Sequence, residues 1–437
     1  MCDRDPGAGL MLLLRRSSKI AAVAAYRSAR IAYYAAAGRL CPRDIDGAGS
    51  FPRELRLALE ELGPTFVKLG QLLTARSDLA PAHLQQELSK LQDHAPSIPS
   101  AKLKTELQRS FGSTTSTHFA TLDMAPVACG SIAQVHRGTL HSGIRVAVKV
   151  RRPEVRTSID VDVRLLGALA RLVAFLSSRV RTYDPVAIVG EFAAVLRSET
   201  DFTTEADNLE VLRRTFATTD AVTIPSVQTD LSGESVLVMD WIDGIPLSNQ
   251  ERLEADGPNR AGLARTILQA YGVMIFQSDR FHADPHPGNL IAIQGDRLGL
   301  IDFGEVGSVG PAERAALLRM MSAVLGRNGD DLAGAVLSVS RSTRNVDIAE
   351  FGYQLATLLG PVADGNLKDV RFGEILSRLL HLLRNFGIVL PSDLAILIKT
   401  MIQCEATINE LDPTISMLNL VGELGTFVPI RQATTFS

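Results

Sequence analysis

The sequence predicts a helix-rich α+β chain with two lobes, one small and sheet-bearing, the other larger and helical, behind a helical preface. Three observations predict it. At 437 residues the chain is too long for one ordinary core. Residues 54–111, and most of those after about 260, carry apolar side chains at three-to-four spacing, the helical period. From about 122 the texture changes: "VACGSIAQVHRGTL", then "HSG", then "IRVAVKV" read as two strands joined by a glycine-containing turn.

Taken in order, residues 1–50 form a basic, Ala-rich extension with Tyr26, Tyr33 and Tyr34. Its short apolar run precedes the basic residues, the reverse of a secretory signal. A helix docked on the protein's own surface is favoured over a peripheral membrane helix, which stays open. Residues 51–121 form a helical region in which "GP" at 63–64 breaks one helix and "FVKLGQLLTARSDL" begins the next. Lys68 and Gln71 stand three apart there and share a helix face. Residues 122–243 form the sheet lobe. It holds the hairpin, a helical stretch from Pro153 to about 217 broken at "YDP", and strand-like "VTIPSV" and "ESVLVMDWIDG". Residues 244–437 form the helical lobe, interrupted by "NLIAI" and "RLGLIDF".

Composition narrows the functional classes. A content of 46% apolar and 21% charged residues fits a soluble globular protein. The net charge of −3 gives no field that would favour nucleic acid. Cys2, Cys41, Cys129 and Cys404 lack CxxC spacing, which favours free thiols in a reducing, cytoplasmic setting. No run of eighteen apolar residues offers a transmembrane helix, and the closing "LVGELGTFVPIRQATTFS" is too short and polar to span.

The chemistry concentrates in "FHADPHPGNL", residues 281–290, and in the "DFG" that begins at Asp302. Phosphoryl transfer from ATP needs divalent metal held by hard oxygen ligands and a carboxylate near the attacking group. An Asp, an Asn five residues later and a following DFG match the protein-kinase catalytic loop and metal motif. Asn289 and Asp302 then read as metal ligands, and Asp284 as the acid facing substrate. His282 and His286 suggest zinc, but no third ligand cluster accompanies them, so they read as loop-shaping residues. A plain turn would also suit Asp, Pro, Gly and Asn, although the ordered pair of motifs weighs against it.

Lys149, amid apolar strand residues, reads as the lysine that contacts the α- and β-phosphates. Its acid partner is to be sought among Glu199, Asp201 and Glu205. "VMDWIDG" resembles a kinase hinge, with backbone groups of Asp240 and Ile242 facing adenine. No GxGxxG or Walker A motif is present; "ACGSIAQVHRG" stands where the glycine loop would be. Ala283 replaces the kinase arginine, and the segment after Asp302 enters a helix within about ten residues, which counts against protein substrates.

Together these residues resemble the UbiB/ADCK family of atypical kinase-like proteins, associated with coenzyme Q biosynthesis, over residues 51–415. "FVKLGQLLTARSDL" looks like its KxGQ motif (Lys68, Gly70, Gln71) and "VACGSIAQVHRG" like its Ala-rich loop. "VAVKV", "ETDFTTEADN", "HADPHPGN" and "IDFG" complete the set in family order. The resemblance implies a two-lobed protein-kinase-like fold with added KxGQ helices over the region where a protein kinase binds peptide. It implies ATP (or ADP) and Mg2+ as cofactors, with Ala128, Cys129, Gly130, Ser131, Lys149, Glu205, Asp240 and Ile242 on the nucleotide. Lys68 and Gln71 would act with Asp284 as catalytic residues, close to the acids Glu199 and Asp201; by position, Glu205 suits Lys149 better than Glu199 does.

The family loop usually reads Ala-Ala-Ala-Ser, so Gly130 departs from it. Glycine permits backbone conformations that alanine resists, which suggests a loop closer to that of an ordinary kinase, and the family's nucleotide preference is not assumed. The leading expectation is an ATP-binding, Mg-dependent atypical kinase or ATPase acting on, or responding to, a small-molecule or lipid ligand. The alternative is a nucleotide-gated binding module for a lipid or hydrophobic ligand, without phosphotransfer. A protein Ser/Thr kinase ranks third. A homodimer and peripheral membrane contact stay open.

Overall fold

The computed structural model describes residues 6–36, 50–75, 82–91, 97–112, 115–153, 155–177, 184–255, 258–342, 345–363 and 371–415. Cys2, Cys41 and the closing stretch from Leu420 lie outside them. The architecture is α+β and rich in helix, as the residue patterning predicts. The chain divides into two compact units, Met1–Thr204 with Gln228–Met239, and Glu205–Val227 with Asp240–Ser437.

The first unit opens with a long helix, α1 (Pro6–Ala36), packed on α2 (Phe51–Leu62). Two fully buried carboxylates hold it there. Glu54 of α2 accepts from Arg27 Nη1 at 3.1 Å and Arg30 Nε at 3.0 Å. Asp162 takes both arms of Arg16, at 2.6 and 2.8 Å, and Arg16 Nη2 also donates to the Leu62 carbonyl at 2.7 Å. Val23 of α1 joins Leu59, Leu62, Phe66 and Val67 in a shared core. The basic, Ala-rich segment is therefore a helix docked on its own protein.

Gly63, at φ 94°, ends α2 in a conformation that favours glycine, and Pro64 starts α3 (Pro64–Ala75), where its missing N–H costs nothing. Two further helices, α4 (Ala82–Leu88) and α5 (Ser100–Phe111), lead into a five-stranded sheet. Its strands are β1 (Phe119–Leu122), β2 (Ala128–Cys129), β3 (Ala133–Leu140), β4 (Arg145–Arg151) and β6 (Val236–Asp240); β5 (Val222–Thr223) belongs to the second unit. The order is β1-β3-β4-β6, with β2 on β3. β3 and β4 form the expected hairpin, turned at Gly143 (φ 86°). Alternation along β4 sends Val146, Val148 and Val150 into a core with Leu103 and Leu107 of α5, and puts Lys149 on the other face. The helices α6 (Val155–Leu176) and α7 (Pro185–Glu199) pack together, and α8 (Phe202–Thr215) crosses from the first unit to the second.

In the second unit a four-stranded sheet runs β5-β10-β9-β7, where β7 is Ile245–Pro246, β9 Leu290–Ile293 and β10 Arg297–Leu300. The β9–β10 hairpin sits where "NLIAI" and "RLGLIDF" place it, in a register that pairs Leu290 with Leu300. β8 (Arg280–His282) pairs with β11 (Val306–Ser308). The helices are α9 (Gln250–Ala255), α10 (Arg260–Gln277), α11 (Pro311–Leu325), α12 (Gly329–Leu337), α13 (Ile348–Ala363), α14 (Phe372–Phe386) and α15 (Ser392–Leu411). Phe351, Leu355 and Leu383 belong to a core shared by α11 to α14. No helix among the described residues is long and apolar enough to cross a membrane.

Glu54→Ala leaves two guanidinium groups facing a buried site, a loss of about 3–5 kcal/mol for a broken buried pair. The expected outcome is faster limited proteolysis within residues 6–36 and a lower urea midpoint; an unchanged cleavage pattern would show that Glu54 does not anchor α1.

Candidate functional site

The second unit builds its candidate site on the loop between β8 and β9. His282 is fully buried and works on the backbone: its Nε2 lies 3.0 Å from the Ile301 carbonyl, and its Nδ1 is 3.3 Å from the Asp284 N–H. A tautomer protonated at Nε2 satisfies both bonds. The His282 ring also meets Phe303 edge-on at 5.0 Å. His286 is exposed, and its Nδ1 accepts the Gly288 N–H at 3.0 Å. Both histidines thus shape the loop. Among the described residues no group of three or more His, Cys, Asp and Glu side chains is placed to hold a metal.

Asn289 Nδ2 donates to Asp284 Oδ2 at 2.9 Å and to the Asp284 carbonyl at 3.3 Å. With the amide nitrogen committed, Asn289 Oδ1 is left as a hard oxygen donor. Asp302 has a left-handed backbone (φ 60°), uncommon for a residue with a side chain, and its Oδ1 accepts the Gly304 N–H at 3.3 Å. Glu205 of α8 lies beside it: a Cβ placed on Gly304 would be 4.0 Å from Glu205 Oε2 and 3.3 Å from Asp302 Oδ1. Three residues along the same helix, Asn208 donates to the Phe303 carbonyl at 3.1 Å and accepts from Arg280 at 2.8 Å. An amide oxygen and a nearby carboxylate suit a magnesium ion, which takes one or two protein oxygens and completes its shell with water and phosphate.

Helix α15 buttresses the loop from below. Thr400 Oγ1 donates to the Ala283 carbonyl at 3.0 Å, and Thr407 Oγ1 to the Pro285 carbonyl at 2.9 Å. One residue from Thr400, Lys399 pairs with Glu305 at 3.6 Å. Burial, then the Glu305 carboxylate, push the Asp284 carboxyl above the ordinary aspartate value; Lys399 and His282 oppose the rise. Lys399, Thr400, Thr407 and Asn208 were not singled out by the sequence. Only Asn208 left a signal, as the last residue of "ETDFTTEADN".

Of the "MDWIDG" stretch, Asp240 to Gly244 lie in the second unit. The Asp240 N–H donates to the Ser226 carbonyl at 2.9 Å.

The first unit carries the other predicted residues. Lys68 Nζ of α3 lies 3.3 Å from Glu199 Oε2 at the end of α7. Gln71 sits one turn further along α3, half-buried. Between them Gly70 packs so tightly on Leu59 and Leu91 that a Cβ there would collide with both side chains. Asp201 instead caps α8, accepting from the Thr203 N–H at 3.1 Å and hydroxyl at 2.6 Å. Lys149 is 9% exposed, with Nζ 5.6 Å from the centre of the Phe202 ring, a cation–π contact.

The Ala-rich loop corrects one expectation. Ala128 and Cys129 form β2, paired with Val135 and Gln134 of β3. Gly130 donates to the Ala133 carbonyl at 2.8 Å, accepts from Arg152 Nε at 2.8 Å, and is absent from the positive-φ glycines. Its backbone is one that alanine also adopts, so the permissiveness of glycine does not set this loop apart. Ser131 follows it and is buried.

Comparison with known proteins agrees with this geometry. Residues 90–335 match the ABC1 atypical kinase-like domain, and residues 355–416 the UbiB helical domain. A protein from Marinobacter nauticus described as "Probable protein kinase UbiB" is 34% identical over 83% of this chain and 67% of its own length. A protein of the same description from Aeromonas salmonicida is 33% identical over the same shares. Among solved structures, the Rv3197–erythromycin complex from Mycobacterium tuberculosis shares the fold, with TM-score 0.59 and 23% identity over 84% of this chain and 93% of that one.

The raised Asp284 carboxyl has a stability consequence. Folded protein holds that proton at pH values where unfolded chain has released it, so stability falls as pH rises from the ordinary aspartate value, about 4, through the raised one. In EDTA, Asp284→Asn is expected to melt above the unsubstituted protein at pH 7, with the gap closing below about pH 4. A gap that persists at low pH would assign the gain to something other than this charge.

Proposed function

Because the chain belongs to the ABC1 atypical kinase-like family, in its UbiB branch, we propose that it binds ATP with Mg2+ and turns it over slowly, acting on or responding to a small-molecule or lipid ligand. The observation that carries this reading is the bond from Asn289 Nδ2 to Asp284 Oδ2, which leaves the amide oxygen as the uncommitted end, on a residue whose carbonyl accepts from the Ile301 N–H next to Asp302. Asn289 Oδ1 and the Asp302 carboxylate would hold the metal, which supplies positive charge against the phosphate oxygens. Asp284, with its raised proton affinity, is suited to accept a proton from an attacking hydroxyl or water. Lys149 is assigned to the α- and β-phosphates, with Ala128, Cys129, Gly130 and Ser131 as the covering loop. The Asp240 carbonyl and Ile242 N–H are assigned to adenine. Lys68 is drawn toward Glu199 and, with Gln71, is assigned to the step that distinguishes this family from protein kinases.

A second reading is favoured by a separate observation. Helices α11 to α15 enclose a cavity of about 290 Å³ lined almost wholly by apolar side chains, Met320, Leu376, Leu383 and Met401 among them. Such a cavity suits a hydrophobic ligand, whether or not phosphate is ever transferred. At the end of α6, Leu169, Leu172, Phe175 and Leu176 are exposed, which supports peripheral membrane contact by a protein placed in the cytoplasm.

Asp302→Asn removes a hard carboxylate ligand, and Mg-dependent ATP affinity is expected to fall at least tenfold in equilibrium binding. An unchanged affinity would sink the metal assignment. ATP hydrolysis measured with and without lipid or quinone-headgroup compounds separates the readings. Turnover in either condition supports the enzyme; tight nucleotide binding with no turnover in both supports the binding module. A protein kinase would instead autophosphorylate, losing this in Asp302→Asn without gaining it in Lys68→Ala.

A further inference from the structure

The docking of α1 borders a second, open cavity of about 860 Å³, whose cations the proposed function does not use. Arg15, Arg16 and Lys19 of α1 line it together with Arg152, which follows β4, and Asp162 is the one carboxylate among the described residues of the lining. Among the described lining residues, four cations against one anion leave a formal excess of three positive charges, in a chain whose net charge is −3. Arg16 is spent on Asp162 and the Leu62 carbonyl. Arg15 and Lys19 make no ion pair among the described residues. Holding like charges around a concave, partly desolvated space is unfavourable unless an anion shares it.

The other lining groups narrow the kind of anion. Thr65, Ser131 and Ser158 line the same space as the cations and carry hydroxyls that can act as neutral donors. Guanidinium forks, an ammonium and hydroxyl donors around one cavity match a group with several acceptor oxygens and more than one charge; a lone carboxylate would leave most of them unused. The volume falls within the range of small-molecule sites and exceeds what a bare phosphate needs. We propose that this cavity binds a phosphate-bearing ligand, either a soluble phosphoester or diphosphate or the phosphate of a lipid headgroup.

The site touches two elements assigned above. Arg152 donates to the Gly130 carbonyl of the Ala-rich loop, and Thr65 lies on α3, three residues before Lys68. A ligand here ties α1 to both. Binding itself does not depend on the nucleotide reading, so it is measured without nucleotide or metal.

The full-length protein in EDTA is titrated with inorganic pyrophosphate by calorimetry, and floated with phosphatidylcholine vesicles that do or do not contain phosphatidic acid. Arg15→Gln/Lys19→Gln removes two exposed cations from the lining. Lys102→Gln/Lys104→Gln removes the same charge from exposed positions on α5. Saturable pyrophosphate binding that weakens at least tenfold in the first variant and holds in the second supports a soluble ligand. Flotation that requires phosphatidic acid and is lost in the first variant alone supports a headgroup. The proposal is overturned by the absence of both, by equal loss in the two variants, or by binding that persists in the first variant and falls in Asp302→Asn. That last outcome would place the phosphate on the proposed metal residues and leave the nucleotide reading standing.

Discussion

The bond from Asn289 Nδ2 to Asp284 Oδ2 is the contact on which the second unit's site depends. It spans a loop that two prolines and a glycine make tight, and it settles which end of the asparagine amide faces outward. Everything around it holds that bond in place. His282 ties the loop to the strand that precedes Asp302, and two threonines of α15 cap the carbonyls of Ala283 and Pro285. The helical domain at the end of the chain is therefore part of the site's support.

In the first unit the equivalent constraint is buried charge. Glu54 and Asp162 are fully buried, and a carboxylate in that position needs cationic donors with good geometry. Three arginines of α1 supply them. This turns a sequence that resembles a membrane-surface helix into a structural member, because Arg16, Arg27 and Arg30 are occupied by acids of its own chain. The sequence displays the arginines but cannot display which acids are buried, so its preference for self-docking rested on the weakness of the apolar run.

Legibility followed distance along the chain. Asp284, Asn289 and Asp302 could be read because their chemistry lies in short, ordered spacings, and the β9–β10 hairpin because its strands are adjacent. The contacts of Asn208, Thr400 and Thr407 with the loop and DFG segments span 95, 117 and 122 residues, and a threonine in a helix carries no mark of the carbonyl it will meet. Asp201 shows a different limit. An acid just before a helix is both a plausible partner for a lysine and a natural cap, and here local hydrogen bonding to Thr203 engages it. At Gly130 the inference from residue type failed because the loop's path is set by pairing with β3 and by Arg152, neither of which asks for glycine.

Gly70 has a wider consequence. Its neighbours on either side along the helix, Lys68 and Gln71, are there for what their heads can touch, whereas Gly70 is there for what it lacks. With the side chains of Leu59 and Leu91 pressed against its backbone, α3 is packed tightly at the turn that carries Lys68 and Gln71. The motif works as a gauge as well as a set of functional groups: one position fixes the clearance, and the others act at the reach it allows. A methyl group added at residue 70 would meet Leu59 and Leu91, so either the two leucines or the helix that carries the lysine and the glutamine would have to give way.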